Sequence, residues 1–231
     1  MTTFDRRYPL GRVVEHDPRS RAYAVPRLAD LGQDEPLRST GWWHYGPVLD
    51  QGDVGACVAF TGGDLLNSRP LRGTRSPTTL WNADRCLDLY ADVTALDDYP
   101  GTWRRDGTGQ DTGSSALGLY RALKARGEVT RIEWAFGLRH ALEALMRGPV
   151  AFGIPWRSDM FTPDAEGRIR YSGDVVGGHE LAGFRLQVRL ERVWLLNHWG
   201  PDWGRNGWCW MTWDDLGQAL AEQGDAAQLI R

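Results

Sequence analysis

The sequence predicts an α+β fold in two lobes, with helices in the first half of the chain and strands in the second. Two patterns carry that expectation. Apolar residues recur at helical spacing over residues 56–66, 114–126 and 138–147. From Val150 onward the chain breaks into short apolar or β-branched runs bounded by turn residues, at 150–156, 180–188, 193–196 and 208–213. Alternating βαβ units would interleave the two patterns, and here they are segregated.

The elements follow in order. Residues 1–46 hold four Pro before Gly46-Pro47 and show little periodicity, so they predict an extended arm. Tyr8, Leu10, Val13, Val14, Tyr23, Val25 and Leu28 give that arm apolar surface with which to pack on the body, residues 47–231. A helix is expected from about Ala56 to Leu66, although Gly62-Gly63 weakens it by roughly 1 kcal/mol per Gly. Ser76 before Pro77 predicts a helix start, with Leu80, Leu87 and Tyr90 on the helix. Residues 96–110, rich in Asp and Gly, predict a long loop. The helix at 114–126 (Leu117, Tyr120, Leu123) stops at Gly127, and the one at 138–147 stops at Gly148-Pro149, which divides a helical lobe (47–148) from a β lobe (149–231). Residues 158–174 are turn-rich, and Asp214-Asp215 is expected to cap a closing helix to about Glu222.

Composition narrows the function. The chain has 231 residues and a net charge of −3, so neither nucleic acid nor an anionic membrane is an expected partner. Every basic residue but Lys124 is Arg, scattered and not in blocks, as a GC-rich genome would produce. Three cysteines cannot build a disulfide framework. No apolar run approaches the ~18–20 residues of a membrane helix, and Met1-Thr-Thr-Phe-Asp-Arg-Arg lacks a secretory core, so a cytoplasmic location is expected. There is no glycine-rich phosphate loop and no cysteine pair at metal spacing, so no cofactor and no metal is expected.

Three segments carry chemistry. In the first, Gln51-Gly-Asp-Val-Gly-Ala-Cys57, a thiol opens a helix, where free N–H groups and the helix dipole favour thiolate. A small buried core Cys fits the same spacing, but Gly52 and Gly55 suggest a close backbone approach that a core Cys does not need. A thiolate nucleophile requires a base that can return a proton to the leaving group. Of the five His, His16, His44 and His140 are expected to be solvated. His179 follows Gly177-Gly178 and opens a strand at the edge of a cleft, a place that also suits a structural His. In the third segment, Asn197-His-Trp-Gly-Pro-Asp-Trp203, Asn197 ends an apolar strand and can accept from a His ring N–H. Trp199 and Trp203 are placed to shield that bond, though a Trp/Gly-rich turn also serves packing.

Together these segments resemble the papain-like cysteine peptidases, in a bacterial or phage-type form. The Gly-Ala-Cys57 triplet, His179 at 122 residues beyond it and Asn197 at 140 match the family's order, the His spacing being slightly short. Gln51 stands six residues before Cys57, and Asn197-x-Trp199-Gly-x-x-Trp203-Gly-x-x-Gly207 matches a further block. The resemblance covers about residues 40–216. It implies a papain-like two-lobed fold, a helical N-terminal lobe and an antiparallel β-barrel-like C-terminal lobe with the cleft between them. It further implies a peptide or protein substrate, Cys57 as nucleophile, His179 as acid and base, Asn197 orienting the ring, and Gln51 with the Cys57 N–H as oxyanion hole. Asp111, Thr112 and Gly113 would line the substrate cleft, with Gly178 and Trp199 beside it and Trp203 in support.

Several residues depart from the pattern. Val54 replaces the family's disulfide Cys, Val58 the bulky aromatic after the nucleophile, and His198 the usual Ser, with His198 expected to be exposed. Glu180 follows His179 where a small or apolar residue is usual, and strand alternation aims it to the opposite face. Forty-six residues leave no room for a propeptide of the family's usual length, so an inhibitory arm would act by a shorter contact such as crossing the cleft. Cys86 and Cys209 are expected in the core. A catalytically silent binding or structural component, for instance of a phage particle, fits the same residues, as does a cell-wall peptide hydrolase or acyl transferase.

Overall fold

The computed structural model describes residues 8–24, 36–72 and 80–231. Among these residues seven strands form one antiparallel sheet in the order β2-β7-β3-β4-β5-β6, with β1 added to β4. The strands are β1 (Thr40–Gly41), β2 (Arg131–Ala135), β3 (Val150–Arg157), β4 (Val175–Gln187), β5 (Arg192–Leu196), β6 (Trp208–Thr212) and β7 (Asp225–Ile230). The path ends at β2 and β6, so the sheet is open and not closed into a barrel. The helices are α1 (Cys57–Leu66), α2 (Ala83–Leu96), α3 (Ala116–Ala125), α4 (Leu138–Arg147) and α5 (Trp213–Ala221).

Local chemistry sets the helix ends. Asn82 accepts from the Arg85 N–H to start α2, Ser115 from the Gly118 N–H to start α3, and Thr212 from the Asp215 N–H to start α5. The cap of α5 is therefore Thr212 and not Asp214-Asp215. Ser76-Pro77 lies outside the described residues, and Leu80 precedes α2 instead of lying on it. No side chain caps α1.

Period-two alternation distributes the strands between two apolar cores. Ala151, Ala182, Leu196 and Ala227 face α1, α2 and α3, whereas their neighbours Phe152, Leu181, Leu195 and Ala226 join the core that α4 and α5 cover. All ten residues of α1 are buried. Its glycines permit this: a Cβ on Gly63 would sit 2.4 Å from Cys86 Sγ of α2, and one on Gly62 would sit 2.7 Å from Leu119 Cδ1 of α3. What costs helix propensity thus allows three helices to approach closely.

Two expectations about the strands need correction, while the cysteines are as expected. Strand β2 lies in the helical half and β7 closes the chain, neither of them foreseen, because a five- or six-residue run of mixed polarity carries little periodic signal. Strand β4 starts at Val175, so His179 sits inside it and does not open it. The bridge that Val54 cannot make is absent, and Cys57, Cys86 and Cys209 are all free and buried. No helix among the described residues is long and apolar enough to cross a membrane.

Gly63→Ala is expected to destabilise the fold by roughly 1–3 kcal/mol through overpacking, against the ~1 kcal/mol that the same change gains in an open helix. Urea unfolding of the variant decides the sign.

Candidate active site

The site forms where the first turn of α1 meets β4 and the loop after β5. Backbone bonds join the segment before α1 to that loop: Gln51 N–H donates to His198 O (2.9 Å), and Gly200 N–H to Leu49 O (3.1 Å). Asp111 ties the same segment to α2, accepting from Gly55 N–H at 2.7 Å and from Tyr90 O–H at 2.6 Å. Gly113 N–H donates to Tyr90 Oη at 3.1 Å, and Thr112 Oγ1 donates to Pro100 O at 2.6 Å. Asp111 therefore uses its side chain to hold the loop that carries Cys57, a role the backbone-lining expectation did not include.

His179 is fully buried and its ring orientation is set. Nε2 lies 2.8 Å from Asn197 Oδ1, which also accepts from His198 N–H at 2.9 Å. An amide oxygen can only accept, so Nε2 carries the proton and Nδ1 the lone pair. Among the described residues that lone pair has no hydrogen-bond partner. Trp199 stacks on the ring at 4.5 Å, Trp156 meets it edge-on at 4.9 Å, and Trp203 packs at a right angle to Trp199. Burial, and then the neighbouring His198, push the pKa of His179 well below its ordinary value.

Cys57 departs from its expected electrostatics. Burial, then the charge of Glu180, push its pKa up to about 12, and the backbone N–H groups of Glu180 and Gly11 with the charge of Arg12 do not offset this. A helix start was expected to favour thiolate. The loss of water outweighs it here, because the site is filled.

What fills it is the arm. Tyr8 packs on Trp199 at 5.0 Å, and Pro9 O accepts from Trp199 Nε1 (3.2 Å) and Gln51 Nε2 (3.4 Å). Gln51 Nε2 also donates to Val54 O at 2.7 Å. Gly11 O accepts from Ser114 N–H (2.8 Å), Arg12 N–H donates to Gly178 O (3.0 Å), and Val13 N–H donates to Ser114 O (2.8 Å). The contact is tight enough that a Cβ on Gly11 would lie 1.8 Å from Gly55 O. Gly52, by contrast, has open space around it, and its φ of +60° marks a left-handed turn, not a close approach.

Sequence reasoning missed several polar groups. His198 was expected to be exposed and is fully buried. Its Nδ1 lies 3.8 Å from Asp64 on α1, and His44 Nε2 lies 3.2 Å from the same carboxylate. Against its burial, these two rings hold the Asp64 carboxyl below its ordinary pKa. His44 is therefore paired, and His140 is buried with Nδ1 accepting from Phe136 N–H at 3.0 Å, so neither is solvated. Arg12, Glu180 and Asp225 form a further buried group. The Gly in the middle of β3, at 153, was the one sequence signal of a close approach there. No cluster of three or more His, Cys, Asp or Glu among the described residues could hold a metal ion.

The open antiparallel sheet with the helical layer against it is a papain-like two-lobed fold. Xylellain, a cysteine protease from Xylella fastidiosa, superposes on it with a TM-score of 0.74 at 16% identity, over 99% of either chain. Procathepsin L 3 from the larval midgut of Tenebrio molitor matches with a TM-score of 0.61 at 13% identity, over 96% of this chain and 76% of its own. The proform of the ragweed pollen cysteine protease Amb a 11 matches at 0.59 and 14%, over 95% and 75%. No protein-family model matches the chain, and no curated protein matches its sequence.

With the arm docked, Cys57 is expected to alkylate more slowly at pH 7 than a free peptide thiol. A raised thiol pKa leaves little thiolate until the pH rises, so the rate should still climb above pH ~8.5, where a free Cys begins to level off. Peptide mapping after iodoacetamide treatment at a series of pH values measures this.

Proposed function

We propose that the protein is a cysteine peptidase held latent by its own N-terminal arm. The observation that carries this is the 2.8 Å bond between His179 Nε2 and Asn197 Oδ1, which leaves His179 Nδ1 without a partner among the described residues, on the strand whose next residue, Glu180, gives its N–H to the Cys57 sulfur. In the reaction, Nδ1 takes the Cys57 proton as Sγ attacks the substrate carbonyl. The tetrahedral oxyanion forms beside Gln51 Nε2 and the Cys57 N–H, where Pro9 O now accepts from Gln51. His179 returns the proton to the leaving amine, a thioester to Cys57 remains, and water activated by the same ring releases the acid. Asn197 holds the ring in the required tautomer, and Trp199 and Trp156 keep water from that bond.

One observation favours a silent papain-fold component instead: the raised pKa of Cys57. The two readings diverge once the arm leaves. Gly11→Val places side-chain atoms where Gly55 O stands and is expected to expel the arm without altering a group that touches substrate. The variant should alkylate at Cys57 at least tenfold faster than the parent at pH 6 and should hydrolyse a broad fluorogenic peptide mixture. Gly11→Val with Cys57→Ala should hydrolyse nothing. An expelled arm with Cys57 no more reactive than a free thiol would establish the silent reading.

In the Gly11→Val background, Gln51→Ala should lower kcat by about 10²–10³, the usual cost of one oxyanion donor. Steady-state kinetics on the same peptides, with Cys57 alkylation unchanged, separates that loss from damage to the nucleophile.

A further inference from the structure

Beside Cys57, on the face of the sheet that meets the helical layer, three neighbouring strands bring two carboxylates and a glycine into one row. Glu180 on β4 pairs with Gly153 on β3, and Gly153 pairs in turn with Asp225 on β7. Both carboxylates are buried, with Glu180 fully inaccessible. The glycine between them leaves the opening: a Cβ there would lie 2.2 Å from Arg12 Nε and 2.7 Å from Asp225 Oδ1. Into this opening the arm inserts Arg12, only 3% exposed. Its Nη2 donates to Asp225 Oδ2 at 2.9 Å and to Gln223 O at 2.8 Å, and its Nε lies 3.8 Å from Glu180 Oε2.

A pocket of this kind is costly to build. Two acids in the interior of a sheet destabilise a fold unless a cation accompanies them. Its mouth lies beside Cys57, because the Arg12 N–H that leads into it pairs with Gly178 O, the carbonyl next to His179, and because the residue before it donates its N–H to Cys57. An anchor for the arm alone would not need to open beside the nucleophile.

We propose that the pocket between Gly153, Glu180 and Asp225 is a specificity pocket for an arginine side chain of a peptide ligand, a place that Arg12 holds while the arm is docked. The proposal rests on the reading of the cleft as a peptide site and adds the class of side chain it selects. Planar guanidinium suits it better than ammonium, since one nitrogen faces Asp225 and the Gln223 carbonyl while another faces Glu180.

The test is binding, which does not require a working nucleophile. The 231-residue chain carrying Gly11→Val, Arg12→Ala and Cys57→Ala is titrated with acetyl-Gly-Arg-Gly-amide and with its citrulline counterpart, the neutral isostere, and tryptophan fluorescence is read. The arginine peptide should bind at least tenfold more tightly, and adding Glu180→Gln and Asp225→Asn should bring the ratio to about one. Equal binding of the two peptides to the chain with both carboxylates would overturn the proposal and leave the pocket an anchor for the arm. A preference that survives removal of both carboxylates would overturn it too. Should the Arg12→Ala chain not fold, Gly11→Val with Cys57→Ala alone carries the same titration, with the tethered Arg12 as competitor and the same ratio expected. An arginine preference together with an inert Cys57 in the alkylation experiment would sink the peptidase reading and leave the pocket standing.

Discussion

The rest of the structure depends on the complete burial of α1 between the other helices and the sheet. A helix with no polar face has one stable place, inside the protein, and Gly62 and Gly63 let α2 and α3 close on it. That position presses its first residue, Cys57, against β4, where the Glu180 N–H reaches the sulfur. Packing thereby puts the thiol and the strand that carries His179 in register, and the backbone bonds from Leu49 and Gln51 to the loop after Asn197 hold the third group in place.

The same burial creates an electrostatic conflict that the arm resolves in one direction. A dry site favours the neutral thiol and the neutral imidazole, and both groups shift that way: Cys57 upward, His179 downward. An ion pair between them needs room and some water, which the docked arm denies. Arg12 adds a second coupling, since it accompanies the Asp225 carboxylate and the Glu180 carboxyl, whose pKa burial and then Asp225 raise well above the ordinary range. The shifts at Cys57 and His179 follow from burial, in a site where residues 8–13 pack against Trp199, Gln51, Ser114 and Gly178.

Much of the fold was legible. The helix at 138–147 was read to the residue because a strong apolar stripe ends at Gly148-Pro149, and the strands at 150–157, 192–196 and 208–212 were found to within a residue or so by their β-branched and aromatic content. β2 and β7 were not legible, since β2 owes its strand state to pairing with β7, and β7 to pairing with β2 and β3. At the site, the resemblance named Gln51, Cys57, His179 and Asn197, and the contact found within that set is the bond between His179 and Asn197. The surroundings were not: a polar residue in sequence gives no hint that it will be buried, and His198, Asp64, His44 and Asp225 are buried only because partners far along the chain receive them.

By itself, then, the sequence determined the helices at 57–66, 116–125 and 138–147 and the strands at 150–157, 192–196 and 208–212, and which residue types stand in order along the chain. Those are local properties, set by side-chain period, caps and spacing. The tertiary structure alone decided the protonation bias of Cys57, the course of the arm through the cleft, and the meeting of Arg12 with Glu180 and Asp225. Each of these depends on distance through space and on how much water remains. Arg12 and Asp225 lie at opposite ends of the chain, and only the pairing of β4, β3 and β7 around Gly153 brings them within 2.9 Å.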